Sequence, residues 1–259
     1  MIKVLVCGAA GRMGKEVVKA ISQEEDLQLV GAVDVREIGK DAGEVAGIGK
    51  LGILIEGDLE ETLKRTSPDI MVDFTTPASV KDNIRKAMMN KVVSVVGTTG
   101  LKPEDIEELK EWAKEYGVGA FIAPNFSLGA NLMMQIARQV VKYLPAVEII
   151  ELHHDKKLDA PSGTAIRTAQ LLSEGKEIPQ EGEEQPSRGD TRWGVRIHSV
   201  RLPGLVAHQE IIFGGQGETL TIRHDAPSRE CYMPGVLLAI RKCLKLKEVI
   251  VGLEKLLGF

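Results

Sequence analysis

The sequence predicts an α/β protein in two parts: a doubly wound parallel sheet with helices on both faces, and a smaller α+β domain placed ahead of the last helices. Over the first 125 residues, short apolar runs alternate with helical periods, the pattern of repeated strand–helix–strand units. After Asn125 several strand-like runs follow one another with no helix between them, which sets a second domain apart. The length of 259 residues, with 43% hydrophobic and 27% charged residues, supports one large domain or two small ones.

Lys3 to Cys7 is a mostly apolar run that stops at Gly8, as a buried parallel strand does. Met13 to Ser22 carries Met13, Val17, Val18 and Ile21 at helical spacing. Leu27 to Val33 and Asp69 to Phe74 read as strands, Ser79 to Met89 as a helix and Val92 to Val96 as a strand. Pro103 to Tyr116 reads as a helix: Pro103 suits the first turn, Glu104 and Asp105 suit the positive end of the dipole, and Gly117 suits the cap. Val118 to Ala123 closes the series. Ala130 to Tyr143 then has an amphipathic helical period, and Val147 to Leu152 reads as a strand. Glu174 to Thr191 is polar, lacks an apolar period, and is expected to be a mobile loop. Val195 to Val200, Leu205 to Phe213 and Thr219 to His224 are strands in succession. Met233 to Lys242 and Lys247 to Leu257 read as helices that return to the first domain. The expected domains are 1–125 with 230–259, and 126–229.

Composition excludes several classes. A net charge of −4 gives no basic field to draw in nucleic acid or anionic lipid. No apolar run approaches the ~20 residues of a membrane span, and the N-terminus lacks a signal-peptide pattern, so a cytoplasmic protein is expected. Cys7, Cys231 and Cys243 lack CxxC spacing, which argues against a disulfide framework and a zinc site. The 27 glycines beside 4% aromatic residues point to backbone that something approaches closely.

Gly8-Ala9-Ala10-Gly11-Arg12-Met13-Gly14 lies between the first strand and the first helix. Glycine there permits a tight turn and brings a pyrophosphate close to N–H groups at the helix N-terminus. The spacing is G-x-x-G-x-x-G, and Asp34 ends the next strand, where a carboxylate accepts hydrogen bonds from an adenosine ribose. Asp34 repels a 2′-phosphate, whereas Arg36 is able to pair with one. The expectation is NADH use with NADPH tolerated. Phe74-Thr75-Thr76-Pro77, Gly97-Thr98-Thr99-Gly100 and Ala123-Pro124-Asn125-Phe126 are further small or polar loops at carboxyl ends of strands, where such sheets bind ligands.

Glu151 to Thr164 is the densest polar cluster in the chain. It leaves a strand at Leu152 and enters a helix near Gly163, with Ser162 as N-cap. N–H groups of Gly163 and Thr164 at the helix start would make an anion site for a carboxylate. Lys157 suits either a proton donor or a carboxylate partner, and His153 and His154 suit acid–base work near neutral pH. Adjacent histidines on an extended segment point to opposite faces, so one shared metal ion is not expected. His198, His208 and His224 fall in strands and read as structural, with His208 the one to watch.

These segments together resemble the dihydrodipicolinate reductase (4-hydroxy-tetrahydrodipicolinate reductase) family. The resemblance rests on Gly8 to Gly14, Val72-Asp73-Phe74-Thr75, Gly97-Thr98-Thr99-Gly100, Pro124-Asn125-Phe126-Ser127, Glu151-Leu152-His153-His154 and Lys157-Leu158-Asp159-Ala160-Pro161-Ser162-Gly163-Thr164-Ala165. It spans essentially the whole chain, in order. It implies a Rossmann-type cofactor domain, a substrate domain that also forms a homotetramer through its sheet, and NADH- or NADPH-dependent reduction of a cyclic dicarboxylate in lysine and diaminopimelate biosynthesis, with no metal. By the same resemblance the proton donor/acceptor is His153 and a second donor Lys157, while His154, Gly163 and Thr164 contact substrate carboxylate. Gly8, Ala9, Ala10, Gly11, Arg12, Met13, Asp34, Gly97, Thr98, Thr99, Ala123, Pro124, Asn125 and Phe126 fall on the nicotinamide nucleotide, with Arg36 beside it. Some relatives carry Arg where this chain has Thr76, which weakens an expectation of NADPH preference.

Two rival classes are weighed. A semialdehyde dehydrogenase needs a cysteine nucleophile, and none of the three cysteines is well placed. A non-catalytic NAD-sensing protein would keep the Gly8 loop but has no need of the His153 to Thr164 cluster.

Overall fold

A computed structural model describes residues 1–174 and 186–258. The chain divides into two compact units, Met1–Ser127 with Tyr232–Phe259, and Leu128–Cys231.

The first unit begins with β1 (Ile2–Cys7), α1 (Arg12–Ser22) and β2 (Leu27–Val33). Next come α2 (Ala42–Ala46), β3 (Ile55–Glu56), α3 (Leu59–Thr66), β4 (Ile70–Asp73), α4 (Val80–Met89), β5 (Val93–Val96), α5 (Pro103–Tyr116) and β6 (Ala120–Ile122). The second unit holds α6 (Leu128–Val140), β7 (Ala146–His153), α7 (Gly163–Ser173), β8 (Asp190–Arg192), β9 (Val195–Arg201), β10 (Ala207–Gly215) and β11 (Glu218–Ala226). The chain then returns to the first unit through α8 (Met233–Lys242), β12 (Val249–Val251) and α9 (Glu254–Leu257).

Among the described residues the first unit's strands form a seven-stranded sheet, β12-β6-β5-β4-β1-β2-β3, in which every pairing is parallel. Strand alternation sorts its faces: Leu5, Cys7 and Met71 pack with Leu59, Leu63 and Ala87 from α3 and α4. Val96, Ala120 and Ile122 pack with Val80, Ile84 and Met88 of α4 and with Leu109 and Ala113 of α5. α1 contacts α8. The β1, β2, β4, β5 and β6 runs and their following loops therefore end on one edge of the sheet, where such folds place ligands.

The second unit has a mixed five-stranded sheet, β11-β10-β7-β9-β8. Central β7 runs parallel to β9 and antiparallel to β10. One face is covered by α6 and α7: Val147, Ile149, Ile197, Ile211 and Phe213 pack with Met133, Ala137, Ala165, Ala169 and Leu172.

Several elements depart from the sequence reading. Lys247 to Leu257 is not one helix. Its β-branched Val249-Ile250-Val251 run pairs with β6 as an edge strand, and only Glu254–Leu257 is helical. α2, β3 and α3 occupy the stretch between Val33 and Asp69 that carried no assignment. Their signals were present in the caps. Asp41 accepts hydrogen bonds from the N–H groups of Gly43, Glu44, Leu51 and Gly52, and Asp58 accepts one from Glu61. The loop expected over Glu174 to Thr191 lies mostly outside the described residues; its end is a 3-10 turn at Pro186–Arg188 and strand β8.

Candidate active site

In the first unit the Gly8 to Met13 loop is folded by its own backbone. The N–H groups of Gly8 and Ala9 donate to the Val33 carbonyl at 2.8 and 3.1 Å. Gly8 sits at φ +84°, and a Cβ there would lie 2.4 Å from the Phe74 carbonyl oxygen. A Cβ on Gly97 would lie 2.0 Å from the Phe74 ring. These glycines are demanded by close approach within the protein itself.

Asp34 is buried, and its carboxylate accepts from the Ala10 N–H at 3.0 Å and the Arg36 N–H at 2.9 Å. The Arg36 guanidinium is 67% exposed and lies 3.6 Å from Asp34 Oδ1, so the carboxylate and the cation flank the loop together. Ala9, Ala10, Ala123 and Phe126 are buried, Gly11, Met13, Gly97 and Asn125 half-buried, and Arg12, Thr99 and Pro124 exposed. Asn125 Oδ1 accepts from the Ser127 N–H at 2.8 Å, and the Phe126 ring stacks obliquely against Phe74 and edge-on against Phe121.

One residue holds these loops. Asp73, at the end of β4, has no exposed surface. Its Oδ1 accepts from the Thr75 N–H (3.1 Å), the Thr75 hydroxyl (2.8 Å) and the Thr98 hydroxyl (2.6 Å), and its Oδ2 from Asn83 Nδ2 (2.8 Å). Thr98 therefore spends its hydroxyl on Asp73 and on the Thr75 N–H, which it accepts at 2.7 Å.

In the second unit Glu151 and His153 share a face of β7, two residues apart. His153 Nδ1 lies 2.5 Å from Glu151 Oε2. Arg201, in register with His153 at the end of β9, reaches the same carboxylate with both terminal nitrogens, at 2.8 and 2.7 Å. Ser162 N–H donates to Glu151 Oε1 at 3.2 Å. Burial alone would raise the Glu151 pKa. Hydrogen bonds from His153 and Arg201, with the Arg201 charge, hold it down to about 2.

Arg201 also donates to the Asp159 carbonyl at 2.7 Å, which ties down the loop that carries Lys157. Lys157 Nζ rests on both oxygens of the Asp159 carboxylate, at 2.7 and 2.8 Å, and this contact lowers the Asp159 pKa. Ser162 caps α7 by accepting from the Ala165 N–H at 3.2 Å. A Cβ on Gly163 would meet nothing within 4 Å, so the start of α7 is open to approach. His154 Nδ1 is buried without a hydrogen-bond partner. His208 pairs with Asp225 at 2.6 Å across β10 and β11, and His198 with Glu148 at 2.7 Å across the same β7–β9 pair that holds Glu151 and Arg201.

Among the described residues no three His, Cys, Asp or Glu side chains gather into a metal site. Cys7 and Cys243 are buried. Burial, then the Asp73 and Asp34 charges, push the Cys7 thiol well up, and burial takes Cys243 to about 11. Neither is a poised nucleophile.

The sequence model of the dihydrodipicolinate reductase N-terminus matches residues 2–126, and that of its C-terminus matches residues 129–257. The chain belongs to the dihydrodipicolinate reductase family. It is 55% identical to the 4-hydroxy-tetrahydrodipicolinate reductase of Desulfitobacterium hafniense (strain DSM 10664 / DCB-2), with 99% of this chain and 98% of the relative covered. With that of Moorella thermoacetica it shares 51% identity over 100% and 98%. A dipicolinate-bound dihydrodipicolinate reductase from Paenisporosarcina sp. TG-14 superposes with a TM-score of 0.86 at 39% identity, covering 98% of this chain and 99% of that one. Membership makes the chain an oxidoreductase, and the two family halves meet within two residues of the division between its compact units.

Three groups in this reductase carry roles that no local sequence pattern shows. Glu151 stood inside a quoted motif, yet its burial and partners come only from the pairing of β7 with β9. Arg201 lies 50 residues from Glu151 and no local pattern joins them. Asp73 likewise stands in a strand end and in the Val72-Asp73-Phe74-Thr75 motif, with no role of its own legible there.

Proposed function

We propose that the chain reduces 4-hydroxy-tetrahydrodipicolinate, a cyclic unsaturated dicarboxylate, to tetrahydrodipicolinate on the route to lysine and diaminopimelate, adding a hydride and a proton while the 4-hydroxyl group leaves as water. The observation that carries this reading is the cluster between β7 and α7, where an imidazole, an ammonium and an open helix N-terminus stand on one continuous segment. The names of the relatives from D. hafniense and M. thermoacetica, and the dipicolinate bound to the Paenisporosarcina protein, support it.

The first unit is proposed to bind the dinucleotide and the second to bind substrate and join copies of the chain. The glycine loop fits a pyrophosphate: Gly11 is the N-cap of α1 and makes no side-chain cap hydrogen bond, so the first-turn N–H groups remain for an anion. Gly8 to Met13 would hold the pyrophosphate and Asp34 the ribose. Gly97 to Thr99 and Ala123 to Phe126 would face the nicotinamide, with Thr98 serving through its backbone because its hydroxyl is engaged. The exposed Arg36 beside Asp34 supports NADH use with NADPH tolerated. When bound, the nicotinamide supplies a hydride.

The chain's own residues supply the rest. The N–H groups of Gly163 and Thr164, with His154, anchor a substrate carboxylate at the positive end of α7. His153 acts as proton donor/acceptor and Lys157 as second donor, meeting the electron pair that hydride addition displaces within the ring. Lys157 exchanges its Asp159 contact for substrate as it does so. Half-buried Ile150 and Leu152 point to the face of the β7 sheet opposite α6 and α7, and this supports a homotetramer formed through that sheet. A cytoplasmic location belongs to the same reading, since the nucleotide is drawn from the cell's pool.

The test follows NADH oxidation by absorbance with dihydrodipicolinate made in situ. Turnover is expected, with NADPH and NADH differing in KM by less than about a hundredfold. Lys157→Ala should lower kcat by roughly 10²–10⁴-fold while NADH affinity holds. Tight NADH binding without any turnover by the unaltered protein would favour a sensor instead.

A further inference from the structure

A single buried carboxylate joins the histidine strand, the head of α7 and, through Arg201, the lysine loop. Glu151 contacts His153 Nδ1, both terminal nitrogens of Arg201 and the Ser162 N–H at the head of α7. Through Arg201 it also reaches the Asp159 carbonyl, and so the loop of Lys157. The geometry assigns Glu151, backed by Arg201, as the positioning residue that fixes the tautomer and ring orientation of His153 for catalysis. This inference rests on the functional reading above.

An ionised carboxylate only accepts hydrogen bonds, so the imidazole nitrogen 2.5 Å away must carry a proton. Nε2 is then the ring atom left to exchange a proton with substrate. A carboxylate behind an imidazole also stabilises the imidazolium that proton uptake creates, a division of labour known from other acid–base sites. Arg201 keeps the carboxylate from rotating: its two nitrogens occupy both oxygens, and Ser162 takes a further position on Oε1. A purely structural ion pair would need no histidine in the arrangement.

Glu151→Gln tests this, because glutamine keeps the shape but offers Nδ1 either an oxygen or an NH2 group. Three readouts are taken: long-range proton–nitrogen NMR correlations of the His153 ring, kcat, and binding of NADH and dipicolinate. In the unaltered protein His153 should carry its proton on Nδ1. In Glu151→Gln the ring should become a mixture of tautomers, kcat should fall at least about tenfold, and both affinities should stay within about threefold. A bare Nδ1 in the unaltered protein overturns the assignment, and that spectrum decides the matter even where the variant does not fold. Unchanged kcat in a folded Glu151→Gln protein overturns it as well. Failure of the unaltered protein to turn over substrate sinks the functional reading instead, and leaves the tautomer result to stand or fall alone.

Discussion

Asp73 and Glu151 are both carboxylates with no exposed surface, near the ends of β4 and β7, and each gathers the loops beside it within its own unit. They are satisfied by opposite means. Asp73 collects neutral donors: a backbone N–H, two hydroxyls and an amide. Glu151 collects a guanidinium and an imidazole, beside one backbone N–H and the Ser199 hydroxyl. A hub of neutral donors holds geometry and moves no proton. A hub built on a cation and a titratable ring also sets where a proton sits. The proposed cofactor side needs the first kind and the proposed acid–base side the second.

The sharpest way to break this contrast is to remove one partner from each hub. Arg201→Met leaves a buried charge uncompensated and should cost about 3–5 kcal/mol of stability. Asn83→Ala strips one neutral donor from Asp73 and should cost about 1–3 kcal/mol. Urea unfolding of both variants measures the difference. Equal losses would mean that the two hubs do not differ in kind.

Acid adds a second test on Glu151 alone. Its pKa is about 2 in the folded protein against an ordinary 4.5. A depressed pKa contributes stability that is complete above the unfolded value and lost as pH falls through the folded one. The contribution should therefore fade between about pH 4.5 and pH 2 and amount to at most about 3 kcal/mol. The stability gap between the unaltered protein and Glu151→Gln should narrow across that window. A gap that stays constant from pH 5 to pH 2 would assign the loss to packing and not to charge.

The same contrast explains what was legible in the sequence. The proposed cofactor loops follow β1, β2, β5 and β6, and each is a local strand-to-turn pattern, so Gly8, Asp34, Thr98 and Asn125 could be found by spacing. Pro103 to Tyr116 was legible to the residue because proline, acidic first-turn residues and a terminal glycine all agree. The last strand was not, since Val249 to Val251 is too short to show alternation and needs β6 beside it to be a strand. Arg201 was hidden for a related reason: its partner is fixed by the β7–β9 register, which no local period encodes.

The smallest expected effects come from the glycines, which differ between the two halves as the hubs do. Gly97 is closed in, with a Cβ position 2.0 Å from the Phe74 ring, so Gly97→Ala must displace that ring and should cost about 1–3 kcal/mol. Gly163 opens the first turn of α7 and meets nothing within 4 Å. Gly163→Ala should leave stability unchanged or raise it by at most about 1 kcal/mol, because alanine suits a helix better than glycine. Its expected signature is kinetic: a methyl group at the mouth of the helix should raise KM for the dicarboxylate while KM for NADH holds. Thermal unfolding and steady-state kinetics on the two variants separate the cases. If Gly163→Ala leaves both KM values untouched, substrate carboxylate does not approach this helix end, and the open space beside Gly163 is only surface.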